Sequence, residues 1–168
     1  GVVIYAGVCR EHFEPATACA VADALGVRGA ASAYDLSNAC LGVLNGMLEI
    51  ANRIELGQIR AGLVVSCESA REINEIMLAR MLGGVNMNQF AEALATFTGG
   101  SGAVAMLLTD GSFTGDSKGG RAGHRLLGAV SQVAPEHHEL CRWGLTPGDG
   151  LQQAQFMATD SVAVLKHG

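Results

Sequence analysis

Residues 34–42 read Tyr-Asp-Leu-Ser-Asn-Ala-Cys-Leu-Gly, and they join two different hydrophobic patterns. The apolar, β-favouring residues 30–36 predict a buried strand. Across residues 41–56 the apolar positions recur every three or four residues, which predicts a helix with one buried face. Cys40 therefore stands at the corner where a strand ends and a long helix begins.

A cysteine at such a corner is a candidate nucleophile. The unpaired backbone N–H groups and the positive end of the helix dipole favour the thiolate, and no carboxylate lies between Asn38 and Met47 to oppose them. The same order of strand, nucleophile and helix aims the serine of hydrolases. The alternative is a packing role, because free cysteine is among the most buried residue types.

Composition predicts a tightly packed α/β protein. Of the 168 residues, 49% are apolar, 16% are charged and 23 are glycine. The net charge of -5 and the 5% aromatic content exclude a nucleic-acid surface, which needs basic clusters interleaved with aromatic residues.

The expected compartment is the cytoplasm. No apolar run is long enough to span a bilayer, and the start of the chain lacks a basic and then apolar leader. The five cysteines are an odd number and lie mostly within apolar segments, which fits reduced thiols better than a disulfide framework.

The remaining pattern alternates apolar strands with amphipathic helices, which predicts right-handed crossovers and a mainly parallel, mixed sheet with flanking helices. Pro15 fits the first turn of a helix, and Asn88 is a candidate N-cap of another. The predicted strands are 2–6, 30–36, 61–66, 102–109 and 126–133, and the predicted helices are 16–25, 41–56 and 89–96.

Three segments are expected along the chain. Residues 1–134 form the main domain. Residues 135–159 are the expected cap or lid segment, because the sequence is irregular and polar from residue 135 to residue 150. Residues 160–168 begin a linking helix.

Residues 35–42 resemble the nucleophile elbow of condensing enzymes of the thiolase superfamily, particularly the ketoacyl synthase III branch, which carry a similar Asp-x-x-x-Ala-Cys-x-Gly run. Residues 97–105, Phe-Thr-Gly-Gly-Ser-Gly-Ala-Val-Ala, are similar to their Phe-Gly-Asp-Gly-Ala-Gly-Ala strand entry. The resemblance implies a thiolase-like fold with Cys40 as the acyl-accepting nucleophile. It covers nearly all of this chain but about the middle half of a family member. The first strands and the C-terminal half, with its histidine and asparagine, are therefore expected to be missing.

Residues 14–17, Glu-Pro-Ala-Thr, provide a second candidate. By itself a glutamate before a helix-starting proline is a solvated loop residue or a complement to the helix dipole. The element lies 26 residues before Cys40 and is similar to one in the head-to-head condensing enzymes of bacterial olefin biosynthesis, the OleA branch. That resemblance implies that Glu14 reaches the partner subunit's active site and removes a proton from the α-carbon of an acyl thioester.

Three further residues are candidates for substrate binding: Arg142, Trp143 and Asn38. The run Leu-Cys-Arg at residues 140–142 is similar to one in the olefin branch. Arginine beside an aromatic residue could bind the phosphates or adenine of coenzyme A, and the alternative is a packed tryptophan with a surface arginine. Cys9 and His12 have a metal-like spacing but lack a second close pair of ligands, so no metal site is predicted.

The resemblance implies an acyltransferase that joins two fatty acyl-CoAs by a non-decarboxylative Claisen condensation, with Cys40 acylated and Glu14 as base. The first alternative is a 3-oxoacyl-ACP synthase III that uses a malonyl carrier, in which Glu14 is only a loop residue. The second is a non-catalytic thiolase-like subunit. The expected partners are acyl-CoA or acyl carrier protein and a second copy of the chain, with no separate cofactor, and this chain alone is expected to be inactive.

Overall fold

The computed structural model describes residues 1–113, 124–146 and 154–167. These residues fall into two compact units, one within residues 1–68 and 102–130 and the other within residues 69–101 and 131–168. The first unit contains Cys40 and Glu14.

The first unit is built on a mixed sheet of four strands in the order β2-β1-β3-β4. Strand β1 pairs in parallel with both β2 and β3, and β4 pairs antiparallel with β3. Its strands are β1 (Val2–Ala6), β2 (Ser32–Leu36), β3 (Ala61–Glu68) and β4 (Gly102–Thr109), and its helices are α1 (Thr17–Ala24) and α2 (Gly42–Glu55). The predicted mainly parallel, mixed sheet with flanking helices is thus confirmed.

Strand β1 is the centre of this unit's core, and all its residues are buried. Because successive side chains of a strand point to opposite faces, Ile4 packs with Ile50 of α2, whereas Val3 and Tyr5 pack with Ala18 of α1. A strand covered on both faces has no polar face, which explains its continuous apolar sequence.

Helix α2 lies very close to the sheet because glycines form the contact. A methyl group at Gly46 would lie 2.7 Å from Cγ2 of Val64, and one at Gly42 would lie 3.3 Å from Cβ of Ala6. Gly42, Gly46 and Ile50 are the buried residues of the helix, and their spacing of four residues forms a single stripe. The first turn of α2 therefore rests on the end of β1.

The second unit contains helices and an antiparallel pair of strands. Ile73, Met77 and Ala93 form its buried cluster, with Met81 and Met157 packed against it. Its elements are α3 (Arg71–Leu82), α4 (Met87–Ala93), β5 (Cys141–Thr146), β6 (Ala154–Thr159) and α5 (Ser161–His167). No helix in the described ranges is long and apolar enough to cross a membrane.

The predicted cap of helix 89–96 was wrong. Helix α4 begins two residues before Gln89, and Asn86, not Asn88, caps it. Asn86 Oδ1 accepts the Gln89 N–H at 3.0 Å, and Gln89 Oε1 accepts the Asn86 N–H at 3.0 Å. A capping box requires a glutamine or glutamate three residues after the cap, whose side chain accepts the N–H of the cap residue. Asn86 has such a residue in Gln89, and Asn88 has none.

The predicted strand at residues 126–133 was also wrong. Residues 124–134 contain no regular element, and the side chains of Leu127, Val130 and Val133 are exposed. An apolar run becomes a strand only where a neighbouring strand pairs with its backbone, and none of the described strands does so here.

The predicted cap segment contains regular structure, so the prediction of an irregular chain at residues 135–150 was wrong for residues 141–146. Two strands, β5 and β6, pair there from Cys141 with Thr159 to Thr146 with Ala154. Helix α3 was not predicted from the sequence either. Only Ile73 and Met77 are buried along it, and two apolar positions among charged residues do not form a clear helical pattern. The lid role of this segment stays a prediction.

Candidate active site

Three chain segments leave the sheet of the first unit at one edge. Ala6 pairs with Leu36 and Tyr5 pairs with Val65 in parallel register, so the carboxyl ends of β1, β2 and β3 lie side by side. Loops at this edge are where α/β sheets bind ligands. Residues 7–16 follow β1, residues 37–41 follow β2, and Glu68 ends β3.

Cys40 lies in a single 3₁₀ turn, Ala39–Leu41, directly before α2. Ala39 has φ +43°, a left-handed conformation that is unfavourable for a residue with a Cβ. Strained backbone of this kind concentrates at functional sites. Cys40 is exposed, so its surroundings favour the predicted nucleophile over the packing role.

Asn38 lies beside this turn and is exposed. Its side-chain amide donates a hydrogen bond to Asn45 Oδ1 in the first turns of α2, and its carbonyl oxygen accepts the Leu41 N–H at 3.0 Å. Asn38 thus helps to hold the corner, and its predicted contact with substrate remains a prediction.

Asp35, near the end of β2, sets the start of α1. Its Oδ2 accepts the Thr17 N–H and its Oδ1 accepts the Ala18 N–H, both at 2.9 Å. Arg10 Nε lies 3.7 Å from Oδ2, and the Asp35 side chain is only 8% exposed. The predicted placement of Pro15 in the first helical turn is therefore wrong, since these contacts start the helix at Thr17.

Glu68 and Tyr5 hold the beginning of the loop that follows β1. Glu68 Oε1 accepts the Val8 N–H at 2.7 Å, and Oε2 accepts the Cys9 N–H at 3.2 Å. The Tyr5 hydroxyl lies 2.7 Å from the Cys67 carbonyl oxygen and 3.0 Å from that of Cys9. Burial, with the nearby Glu68 carboxylate as the next cause, raises the pKa of Tyr5 to about 12.

Glu14 projects from this loop. Its side chain is exposed, as are its neighbours, and Phe13 is 84% exposed. Within the described ranges the Glu14 carboxylate has no hydrogen-bond or ion-pair partner. The Glu14–Pro15 peptide bond is cis. The structure thus places Glu14 and Cys40 on two neighbouring segments of the same sheet edge, with the glutamate presented to the outside.

Sequence reasoning missed the supporting roles of Asp35, Glu68 and Arg10. Asp35 is part of the quoted motif, but its backbone partners lie 17 and 18 residues earlier. Those of Glu68 lie 59 and 60 residues earlier. No short-range spacing marks such partners, and the one available signal was an acidic residue at or next to the end of β2 and of β3.

Arg142 and Trp143 are in β5 of the second unit. Arg142 Nη1 lies 2.9 Å from Glu139 Oε2, and Trp143 Nε1 donates to Gln155 Oε1 at 3.3 Å. Because neighbouring residues of a strand point to opposite faces, the structure does not bring these two side chains to one face of the ribbon.

The five cysteines are free thiols. The described residues include no group of three or more His, Cys, Asp or Glu side chains placed to bind a metal ion. The thiol of Cys40 is therefore not taken up by a disulfide.

Comparison with known proteins reveals clear relatives, although no protein-family model matches. The chain is 56% identical over 170 residues to the acyl-CoA:acyl-CoA alkyltransferase of Shewanella oneidensis, a match that covers all of the chain and 47% of the relative. A variant of Xanthomonas campestris OleA with bound lauric acid and lauroyl-CoA has a TM-score of 0.82 and 34% identity, over 99% of this chain and 45% of that one.

A shorter match is to the β-ketoacyl-[acyl-carrier-protein] synthase III of Desulfitobacterium hafniense, which is 39% identical over 72 residues, 43% of this chain and 22% of the relative. The predicted thiolase-like fold and the resemblance to condensing enzymes are thus confirmed. Within that class the chain is homologous over its whole length to acyl-CoA:acyl-CoA alkyltransferases of the OleA branch. It spans about half the length of these relatives.

Proposed function

We propose that the full-length protein carrying this sequence joins two fatty acyl-CoAs by a non-decarboxylative Claisen condensation. The observation that carries the proposal is the exposed Cys40 in a strained turn at the start of α2, on the edge that also bears Glu14. Two relatives are named acyl-CoA:acyl-CoA alkyltransferases, and one solved neighbour binds lauroyl-CoA.

The first step is acylation of Cys40. Its thiolate attacks the carbonyl carbon of one acyl-CoA, and the CoA thiolate leaves, so that one thioester replaces another. The backbone N–H of Cys40, at the helix start, serves as one donor to the oxyanion that forms on the carbonyl oxygen.

The second step forms the carbon–carbon bond. The Glu14 carboxylate of the neighbouring subunit removes a proton from the α-carbon of the second acyl-CoA. The resulting carbanion attacks the acyl carbon on Cys40, and the Cys40 thiolate leaves. The product is a β-ketoacyl-CoA, and no carbon dioxide is released.

Two observations support Glu14 as the base. Its carboxylate is exposed and has no partner among the described residues, so it is available to a second molecule. Solved structures of Xanthomonas campestris OleA include variants of one cysteine and of one glutamate. These two residues lie as far apart in that sequence as Glu14 and Cys40 lie in this one.

The other predicted features are part of the same proposal. Arg142, whose exposed guanidinium suits a phosphate, is one candidate contact to the acyl-CoA, and Trp143 and Asn38 are separate candidates. The working assembly is a homodimer, since Glu14 acts across subunits. The five free cysteines fit a reducing cytoplasm.

The alternative reaction is that of a ketoacyl synthase III, which the shorter match favours. In that enzyme the carbanion arises when a malonyl thioester loses carbon dioxide, so Glu14 has no chemical role. The remaining alternative, a non-catalytic subunit, requires no acylation of Cys40.

The test uses full-length protein supplied with a long-chain acyl-CoA and no malonyl donor. Mass spectrometry measures the acyl-enzyme and the condensed product for wild type, Cys40→Ser and Glu14→Gln. We expect Cys40→Ser to lose both species and Glu14→Gln to keep the acyl-enzyme while condensation falls by about 100-fold or more.

Glu11→Gln is the matched control, because it removes the same charge from an exposed position of the same loop and should behave as wild type. Condensation that requires malonyl thioester and survives Glu14→Gln would establish the synthase III reaction instead. Absence of any acyl-enzyme in wild type would identify a non-catalytic subunit.

A further inference from the structure

A single carboxylate holds both ends of the loop that presents Glu14. Asp35 forms an ion pair with Arg10 before Glu14, with Nε 3.7 Å from Oδ2, and accepts hydrogen bonds from the backbone N–H groups of Thr17 and Ala18 after it. Between these two attachment points, residues 11–15 are exposed and Ala16 is half-buried. Asp35 thus closes the segment from Arg10 to Thr17 into a loop whose outer part carries the proposed base.

The environment of Asp35 strengthens the contacts that close this loop. Its side chain is 8% exposed, so its hydrogen bonds compete little with water and are stronger for it. Both oxygens accept from backbone N–H groups at the start of α1, where the helix dipole also favours a negative charge. These bonds fix the position of the loop relative to β2, whose chain continues to Cys40.

The Cys40 corner itself has separate supports. Asn38 is bonded to Asn45, and Gly42 rests against Ala6 at the start of α2. None of these contacts involves the Asp35 side chain. Loss of the Asp35 carboxylate should therefore loosen the Glu14 loop and leave the nucleophile in place.

We propose that Asp35 is a positioning residue that fixes the loop of Glu14, and so is needed for proton removal from the second acyl-CoA but not for acylation of Cys40. The proposal rests on the proposed function, in which Glu14 is the base. It adds that the position of the Glu14 carboxylate depends on the buried carboxylate of Asp35 in β2. This position matters because small displacements of a catalytic group lower the rate by large factors.

The decisive variant is Asp35→Asn in the full-length enzyme. The amide is nearly the same size but carries one acceptor oxygen and an NH₂ group, which cannot accept the second backbone N–H or pair with Arg10. The β2 backbone ladder does not depend on the side chain. Asp23→Asn is the matched control, because Asp23 pairs with Arg28 on the surface, away from the loop.

Single-turnover mass spectrometry then separates the two steps. For Asp35→Asn we expect acylation of Cys40 within about twofold of wild type and condensation slower by about tenfold or more. Adding Glu14→Gln to Asp35→Asn should cause a smaller further loss than Glu14→Gln causes in wild type, because residues that act through one another are not additive. Asp23→Asn should match wild type in both steps.

Three results would overturn the proposal. Equal losses of acylation and condensation would show that Asp35 only stabilises the fold. Wild-type condensation by Asp35→Asn, with Glu14→Gln defective, would reject the positioning role and leave the proposed function standing. Wild-type condensation by Glu14→Gln would reject the proposed function and the inference together.

A second variant decides the matter if Asp35→Asn does not fold. Arg10→Gln removes one attachment of the loop and leaves the two backbone bonds to Asp35 intact. A fall of about threefold in condensation with unchanged acylation supports the positioning role, and an unchanged condensation rate contradicts it.

Discussion

The hydroxyl of Tyr5 connects the end of β1 to the loop that carries Glu14. Its one O–H proton lies within reach of two carbonyl oxygens, that of Cys67 at 2.7 Å and that of Cys9 at 3.0 Å, and only the neutral phenol can donate it. Burial and the Glu68 carboxylate keep the phenol neutral by raising its pKa to about 12 from the ordinary 10.0. The neutral form therefore contributes stability that is complete below pH 10.

This contribution should decline as the pH rises from about 10 to about 12. In that range the unfolded phenol has lost its proton while the folded one retains it, so the unfolded state gains stability. Tyr5→Phe should destabilise the full-length protein by about 1–3 kcal/mol at pH 8, because the only O–H proton shared by these two carbonyl oxygens is lost. The difference should shrink by about 1 kcal/mol at pH 11.

Urea unfolding of wild type and Tyr5→Phe at the two pH values measures this change. The difference between the variants removes the contributions of all other titrating groups. A difference that stays the same at pH 8 and pH 11 would show that the Tyr5 phenol ionises equally in both states.

At the scale of whole elements, close packing of α2 on the sheet determines where Cys40 lies. Gly46 faces Val64, and Gly62 of β3 faces Ile50 of α2, each with room for less than one methyl group. Two glycines facing side chains across one interface let the helix approach the sheet more closely than alanine would. Cys40 lies directly before the first turn of α2, so the position of the helix on the sheet also sets the position of Cys40.

Gly46→Ala should therefore destabilise the protein, although alanine favours helix by up to about 1 kcal/mol over glycine. The added methyl group would lie 2.7 Å from Val64 Cγ2, and such overpacking costs about 1–3 kcal/mol. Asn52→Ala, at an exposed position of the same helix, should instead be neutral or slightly stabilising.

The free energies of unfolding of the two variants, from urea denaturation of the full-length protein, test this packing. We also expect slower acylation of Cys40 in Gly46→Ala, because a displaced helix moves the nucleophile. Stabilisation by Gly46→Ala to the same extent as by Asn52→Ala would mean that α2 lies farther from the sheet than described.

At the scale of the whole molecule, the proposed reaction requires two copies of the chain. In that proposal Glu14 serves the Cys40 of the neighbouring subunit, so each active site would combine residues of two chains. Subunits with Cys40→Ser and subunits with Glu14→Gln should each be inactive in condensation alone, yet mixed dimers should contain one complete site.

Exchange or co-expression of equal amounts of the two subunits should therefore recover about a quarter of the wild-type rate. Half of the dimers are mixed at random association, and each has one working site of two. Mixtures that stay as inactive as their components, despite proven subunit exchange, would place Glu14 and Cys40 of the same chain in one site.

Much of the first unit could be predicted because its signals are local. A continuous apolar run marked β1, a spacing of three to four residues marked α2, and a cysteine between strand and helix marked the corner of Cys40. Element boundaries moved by a few residues, as for α1, whose start depends on the distant Asp35.

The rest depended on partners far away in the chain. The apolar residues 126–133 formed no strand because no described strand pairs with them, whereas β5 and β6, in a segment predicted to be irregular, formed a pair because their backbones meet. The hydrophobic pattern around Cys40 was enough to identify the candidate nucleophile, and motif resemblance to condensing enzymes supplied the thiolase-like class and the candidate base. Only the tertiary structure showed that Asp35, Glu68 and Tyr5 hold the loop of that base, since a hydrogen bond to a backbone N–H leaves no mark on the identity of the residue that donates it.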